Sequence, residues 1–159
     1  MSDIVSPEKR SIMMAGIRAK DTKPELTVRK ALYAAGFRFR LHNKKLPGTP
    51  DIVLAKHRVA IFVHGCFWHL HRNCKLSKIP ATRTEMWSHK LKANATKDAQ
   101  VTYQLLALGW RVLVVWECHI RSHRDSAELT QDLTQWILGR NSFGQLPKDC
   151  KTPPTSEVV

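Results

Sequence analysis

The chain contains no run approaching the roughly 18 consecutive apolar residues that a membrane-spanning helix requires. Its opening, Met1-Ser2-Asp3-Ile4-Val5-Ser6-Pro7-Glu8-Lys9-Arg10, lacks the apolar segment of a secretory signal. Together these absences argue against a membrane or secreted protein and predict a cytoplasmic location. Cysteine is scarce: Cys66, Cys74, Cys118 and Cys150 are too few and too scattered for a disulfide framework. No internal repeat is visible, and 159 residues with a 43% hydrophobic fraction suit one domain with one core. Acidic residues are also in short supply. Asp+Glu 13 against Lys+Arg 26 leave a net charge of +13, and the pI is near 10.0. Such a field favours polyanions through counterion release from phosphate backbones. The basic residues are spread along the chain and not gathered beside an apolar helix face, which favours nucleic acid over a lipid surface. Charge favours a nucleic-acid partner over the plainer alternative of a ribosomal or merely basic protein.

The first twenty residues are basic and irregular, and residues 1–20 are read as a segment contacting DNA. Asp21-Thr22-Lys23-Pro24-Glu25 has the makings of a helix start, with capping side chains, a proline in the first turn and an acid near the positive end. Val28, Ala31, Leu32 and Ala35 then form one apolar face, and Gly36 ends the helix. Phe37 to His42 alternates and predicts a strand with one buried face. Asn43 to Pro50 is a loop. Asp51–Ala55 and Val59–His64 form a hairpin buried on both faces, then comes an aperiodic stretch over 65–83. A long helix is expected from Thr84 to Leu108, broken by Gly109. A buried strand over Arg111–Trp116 ends at Glu117-Cys118, and a last helix runs from Ser126 to Leu138. Residues 21–139 make the domain, and 140–159 are expected to be a mobile tail. The order α-β-β-β-α-β-α describes a mixed sheet flanked by helices, an α/β fold.

The hairpin carries a geometric expectation. A two-residue tip at His57-Arg58 sets Asp51 opposite His64; a three-residue tip sets it opposite Val63. Either way the carboxylate lies within about 5 Å of the end of the second strand. His69 follows closely enough to fold back over the same end. One hard carboxylate beside strand carbonyls suits magnesium. An imidazole can take a proton from an attacking water or assist the leaving oxygen. Phosphodiester hydrolysis needs both functions. The plainer alternative is that Asp51 ends a loop and His64 is a core histidine.

Cys66, His69, His71 and Cys74 crowd into nine residues, and Cys118 closes a core strand. Zinc takes four soft or borderline ligands in a tetrahedron. Cys66, His71, Cys74 and Cys118 would supply them, pinning an unsupported loop to the sheet and leaving His69 free. The alternative is a set of buried free thiols. Cys150 is expected to be unligated.

At this point the residues resemble a family. Leu46-Pro47-Gly48-Thr49-Pro50-Asp51, Phe62-Val63-His64-Gly65-Cys66-Phe67-Trp68-His69, Pro80-Ala81-Thr82-Arg83-Thr84-Glu85 and Gly109 to Cys118 are similar to the very-short-patch mismatch repair endonucleases. The resemblance runs in order over about residues 7 to 138, and the His-Gly-Cys-Phe-Trp-His string is its most specific part. It implies a restriction-endonuclease-like fold and a DNA repair enzyme, expected to act as a monomer because nicking one strand needs one active centre. That enzyme nicks the strand bearing the thymine of a T·G mismatch, on the 5′ side, after deamination of 5-methylcytosine. It implies Mg2+ for catalysis and Zn2+ for structure. The partners would be mismatched duplex DNA, with a functional link to a cytosine methyltransferase and a downstream repair polymerase at a bacterial-type nucleoid.

Residue by residue, the resemblance makes Asp51 a magnesium ligand, joined by the backbone carbonyl of Val63, and His69 the general base. His64 would assist at the phosphate, and Glu25 would hold a metal-bound water or orient His69. Zinc would fall on Cys66, His71, Cys74 and Cys118. Phe67, Trp68 and Trp87, with Met14 from the N-terminal segment, would form the apolar wedge inserted beside the mismatch. Lys90 and Asn94, one turn apart on the long helix, would reach base edges or phosphates. Pro50-Asp51 matches the first half of the nuclease-superfamily motif, whereas Phe62-Val63-His64 stands where the acidic-x-Lys half is usual. Two features depart from the family: Val63 where threonine is common, and a loop between Cys66 and Cys74 that is one residue longer. Two other classes compete, a restriction-type endonuclease cutting both strands as a dimer and a non-catalytic zinc-containing DNA-binding module.

Overall fold

A computed structural model describes residues 21–123 and 127–147. Met14, the basic segment 1–20 and Cys150 lie outside the described residues. Helix α1 spans Lys23–Ala34 and starts as expected: the Thr22 hydroxyl accepts the Glu25 N–H and Pro24 sits in the first turn. Gly36, at φ +88°, turns the chain so that the Phe37 N–H reaches Leu32 O. The expected strand over 37–42 contracts to β1, Arg40–Leu41. Phe37 and Phe39 do pack onto the core, but β2 extends only over Ile52–Leu54 and offers the edge few partners. His42 at φ 47° then turns the chain away.

β3 covers Val59–His64 and pairs antiparallel with β2 in a register set by Leu54↔Val59 and Ile52↔Ile61. One step on, Asp51 lies level with Phe62, not with Val63 or His64 as expected. Ala55 leaves the strand to join a 3-10 turn over Ala55–His57, and Arg58 closes it at φ 52°. The tip is therefore longer than either register assumed. Both strands are buried on both faces, as their apolar runs predict.

Helix α2, Thr84–Ala107, crosses over to β4, Arg111–Trp116, which lies parallel to β3. Gly109 at φ +86° separates the two. Beyond β4 the chain departs from expectation. A short helix α3, Glu117–Ser122, begins at once, so Cys118 occupies a helical first turn and not a strand end. Helix α4 follows over Ala127–Leu138. Residues 143–146, read from sequence as part of a mobile tail, form β5, parallel to β4. Its four residues, Phe143-Gly144-Gln145-Leu146, are too few and too mixed to mark a strand in the sequence. Gly144 passes so close to the Trp136 indole that any Cβ would collide with Nε1, and Leu146 is fully buried. Arg111 anchors the junction, donating to the carbonyls of Trp136, Ile137, Gly139 and Asn141.

The sheet order is β1-β2-β3-β4-β5, and the element order is α-β-β-β-α-β-α-α-β. One core lies between the sheet and α1, α3 and α4, around Leu32, Ile61, Leu113 and Leu133. A second lies on the α2 side, around Phe62, Leu105, Val114 and Trp116. This is a single mixed α/β domain. No described helix is long and apolar enough to cross a membrane.

Candidate active site and metal centre

β2 and β3 open at one end of the sheet, and there the Asp51 carboxylate accepts the Val63 N–H at 2.8 Å. The altered register thus preserves the expected proximity. Burial pushes the Asp51 carboxyl up to about 7; the Val63 hydrogen bond opposes this, and the neighbouring Glu25 charge adds to it. Glu25, 2% exposed on α1, accepts the Asp21 N–H at 3.1 Å, pairs with Arg29, and lies 3.2 Å from His42 Nε2. Buried Glu25 and part-buried Asp51 lie side by side, and a cation between them would relieve the repulsion of the two carboxylates.

His64 closes β3 on the α2 side. Its ring stacks on that of His69 with centroids 3.9 Å apart and planes 6° from parallel. Burial, and then the nearby His69 and His71, hold His64 well below the usual imidazole range, so it is neutral at pH 7. His69 is set by a turn in which its N–H reaches Gly65 O. Its Nδ1 lies 2.6 Å from Asp98 Oδ2. The carboxylate on His69 is therefore that of Asp98; Glu25 serves His42 and Arg29. Sequence reasoning missed Asp98. The available signal was its place at helical spacing in the inward-facing stripe Leu91, Asn94, Asp98, Thr102, Leu105 of α2, where an acid is out of character. Asp51, His64, His69 and Asp98 share a cleft of about 580 Å³ with His42, Lys44 and Lys97.

Behind this cleft, Cys66, His71, Cys74 and Cys118 bring their ligand atoms within 4.8 Å of one another. The Cys118 N–H points at Cys66 Sγ, 3.4 Å away, and Cys118 Sγ lies 3.5 Å from His71 Nδ1. Burial pushes the Cys66 and Cys118 thiols up; the neighbouring Cys74 adds to both, whereas the contact with Cys66 opposes the rise at Cys118. Crowded thiols gain little from one another, whereas a divalent ion binds the ionised sulfurs together. Three sulfurs and one imidazole nitrogen fit a closed structural metal site.

Phe67, Trp68 and Trp87 meet edge to face, with centroids 5.0 Å, 5.4 Å and 5.9 Å apart. Lys90 Nζ lies over Trp68 and Trp87 at 5.6 Å and 5.7 Å. Asn94, also on the cleft wall, donates to Trp68 O at 3.1 Å and so braces the loop.

The family model for DNA mismatch endonuclease Vsr matches residues 2–76. DNA mismatch endonuclease Vsr of Escherichia coli (strain K12) is 41% identical over 148 residues, 92% of this chain and 94% of that protein. The chain belongs to the Vsr endonuclease family. Type II nicking enzyme V.XorIIP of Xanthomonas oryzae pv. oryzae is 49% identical over 120 residues, 76% of this chain and 88% of that protein. V.NmeAIP of Neisseria meningitidis, also a type II nicking enzyme, is 43% identical over 122 residues, 77% and 86% of the two chains. As a Vsr-family member the chain is a DNA-nicking endonuclease. The family implies a divalent metal, and the cysteine-histidine cluster could hold one.

Proposed function

We propose that this Vsr-family endonuclease nicks the thymine-bearing strand of a T·G mismatch on the 5′ side, by magnesium-dependent hydrolysis. The observation that carries the reading is the meeting of Asp51 with the His64–His69–Asp98 group in one basic cleft, beside a cluster of three aromatic rings. Asp51 and the Val63 carbonyl would hold Mg2+, which when bound neutralises charge developing on the phosphate. Valine at position 63 suffices for a backbone contribution. His69 keeps Nδ1 toward Asp98, which leaves Nε2 to take the proton from the attacking water. Neutral His64, stacked on His69, holds that ring in place and offers a hydrogen bond to the phosphate. Glu25 stands behind Asp51 as the second carboxylate of the cation pocket.

Cys66, His71, Cys74 and Cys118 would bind Zn2+, fixing the loop that presents Phe67, Trp68 and His69. Phe67, Trp68 and Trp87, with Met14 and Lys90, would open the weak base step; an apolar wedge there costs a few kcal/mol, least at a mismatch. Lys44 and Lys97 would hold flanking phosphates. One catalytic centre cutting one strand accords with a monomer on a restriction-endonuclease-like scaffold. It would work in the cytoplasm at the nucleoid, following a cytosine methyltransferase and preceding a repair polymerase.

The test supplies a duplex with one T·G pair, a matched duplex and Mg2+. Single-strand nicks confined to the mismatched duplex are expected. Double-strand cuts in both would replace the reading with a restriction-type activity, and binding without cutting under several metals would reduce it to a DNA-binding module.

A further inference from the structure

β5 reaches the active centre from behind. Trp116, the last residue of β4, sits between the two histidine groups. Its indole stacks on His71 at 4.1 Å and 6°, and meets the His64 ring edge-on at 5.3 Å and 73°. His64 in turn stacks on His69. The Trp116 Nε1–H donates to Gln145 Oε1 at 2.7 Å, across 29 positions of sequence. A cavity of about 110 Å³ lies alongside, and Trp116, Gln145, His64, His69 and Asp98 all contribute to its wall.

That cavity matters for what holds the indole. Ring stacking sets the plane of an aromatic group but leaves sliding and in-plane rotation soft. Where one flank is open space, packing cannot stop such movement. A short, part-buried hydrogen bond can, because it is directional. We propose that Trp116, locked by Gln145, is a positioning residue for the His64–His69 imidazole pair, so that the C-terminal strand sets the geometry of the nicking step. The inference rests on the reading of those two histidines as the reacting group. Through His71 the same indole also ties the catalytic pair to the cysteine-histidine cluster, so one ring registers the metal loop against the cleft.

The experiment uses the full-length, zinc-loaded protein in three variants. Gln145→Leu removes the acceptor at similar volume, Trp116→Phe keeps a ring but removes the N–H, and Gln145→Glu retains an acceptor. For the first two, kcat on a T·G duplex should fall about tenfold to a hundredfold, the scale of a small misplacement of reacting groups. KM and zinc stoichiometry should stay near those of the parent, and each variant should remain folded at the assay temperature. The imidazole 1H–15N signals of His64 and His69 should shift, Gln145→Glu should recover most of kcat, and combining Trp116→Phe with Gln145→Leu should be no worse than Gln145→Leu alone. Parental kcat with unshifted imidazole signals in Gln145→Leu would overturn the proposal. So would a loss of activity that merely tracks lost zinc or lost fold. Should Trp116→Phe fail to fold, Gln145→Leu and Gln145→Glu still decide. A His69→Ala control separates the premises: full activity there would remove His69 from catalysis, while the His64 signal in Gln145→Leu would still report on positioning.

Discussion

His69 and Asp98, 29 positions apart, meet through Nδ1 and Oδ2 at 2.6 Å. That contact fixes which imidazole nitrogen is left to face the cleft, and it joins the metal-loop side of the site to helix α2. Asp98→Asn keeps the size of the side chain but cannot stabilise a protonated ring. It should lower kcat roughly tenfold to a thousandfold with little change in KM, whereas His69→Ala should abolish cleavage and leave mismatch binding intact. Steady-state kinetics with a binding assay checks both; an Asp98→Asn enzyme with parental kcat would make the contact merely structural.

Asp51 predicts a pH dependence with a definite sign. Its carboxyl rises from 3.8 to about 7 on folding, chiefly through burial. The folded chain therefore holds a proton that the unfolded chain has released. The stabilisation is complete below the unfolded value and is lost as pH rises through about 7. Thermal melts of metal-free protein from about pH 5 to about pH 8 should show falling stability, and Mg2+, which needs the carboxylate, should bind more tightly over the same range and offset the fall. Asp51→Asn should flatten both trends; a slope that persists would assign it to other groups.

Cys118→Ser should reduce bound zinc and destabilise the fold together, by more than about 2 kcal/mol. A chelator should bring the parent protein to the same melting temperature. Metal analysis alongside calorimetry is sufficient, and unchanged stoichiometry would remove Cys118 from the centre.

Phe67→Ala and Trp87→Ala should weaken binding to a T·G duplex by about 1–3 kcal/mol more than binding to a matched one. Fluorescence anisotropy with the two duplexes measures the difference. An equal loss on both would mean that the rings serve packing between loop and helix.

Gly144→Ala should cost about 1–3 kcal/mol, since the added methyl must displace the Trp136 indole. Denaturant titration reads it directly, and a neutral result would show that β5 can shift outward freely.

Much of the site was legible before folding, and for local reasons. Cys66, His69, His71 and Cys74 fall so close together that any compact loop brings them near one another. Thr22, Pro24 and Gly36 signal the two ends of α1 because caps act within a turn. Arg111–Trp116 is legible because its length and composition fit only a buried strand. The hairpin register was not legible, since Ala55 is apolar and its desertion to the turn leaves no mark in the pattern. β5 was hidden for a similar reason: Phe143-Gly144-Gln145-Leu146 is held by a backbone ladder and by a groove over Trp136, and neither needs a distinctive composition.

The sequence by itself determined the kind of chemistry: a basic chain, thiols and imidazoles at metal-binding spacing, and one acid ahead of an apolar strand, each property residing in a few adjacent residues. Only the tertiary structure decided the partners. That Asp98 serves His69, that Glu25 serves His42, and that Gln145 holds Trp116 depend on which faces of separate helices and strands are pressed together. That choice is made by burial of the whole core, which no short stretch of chain encodes.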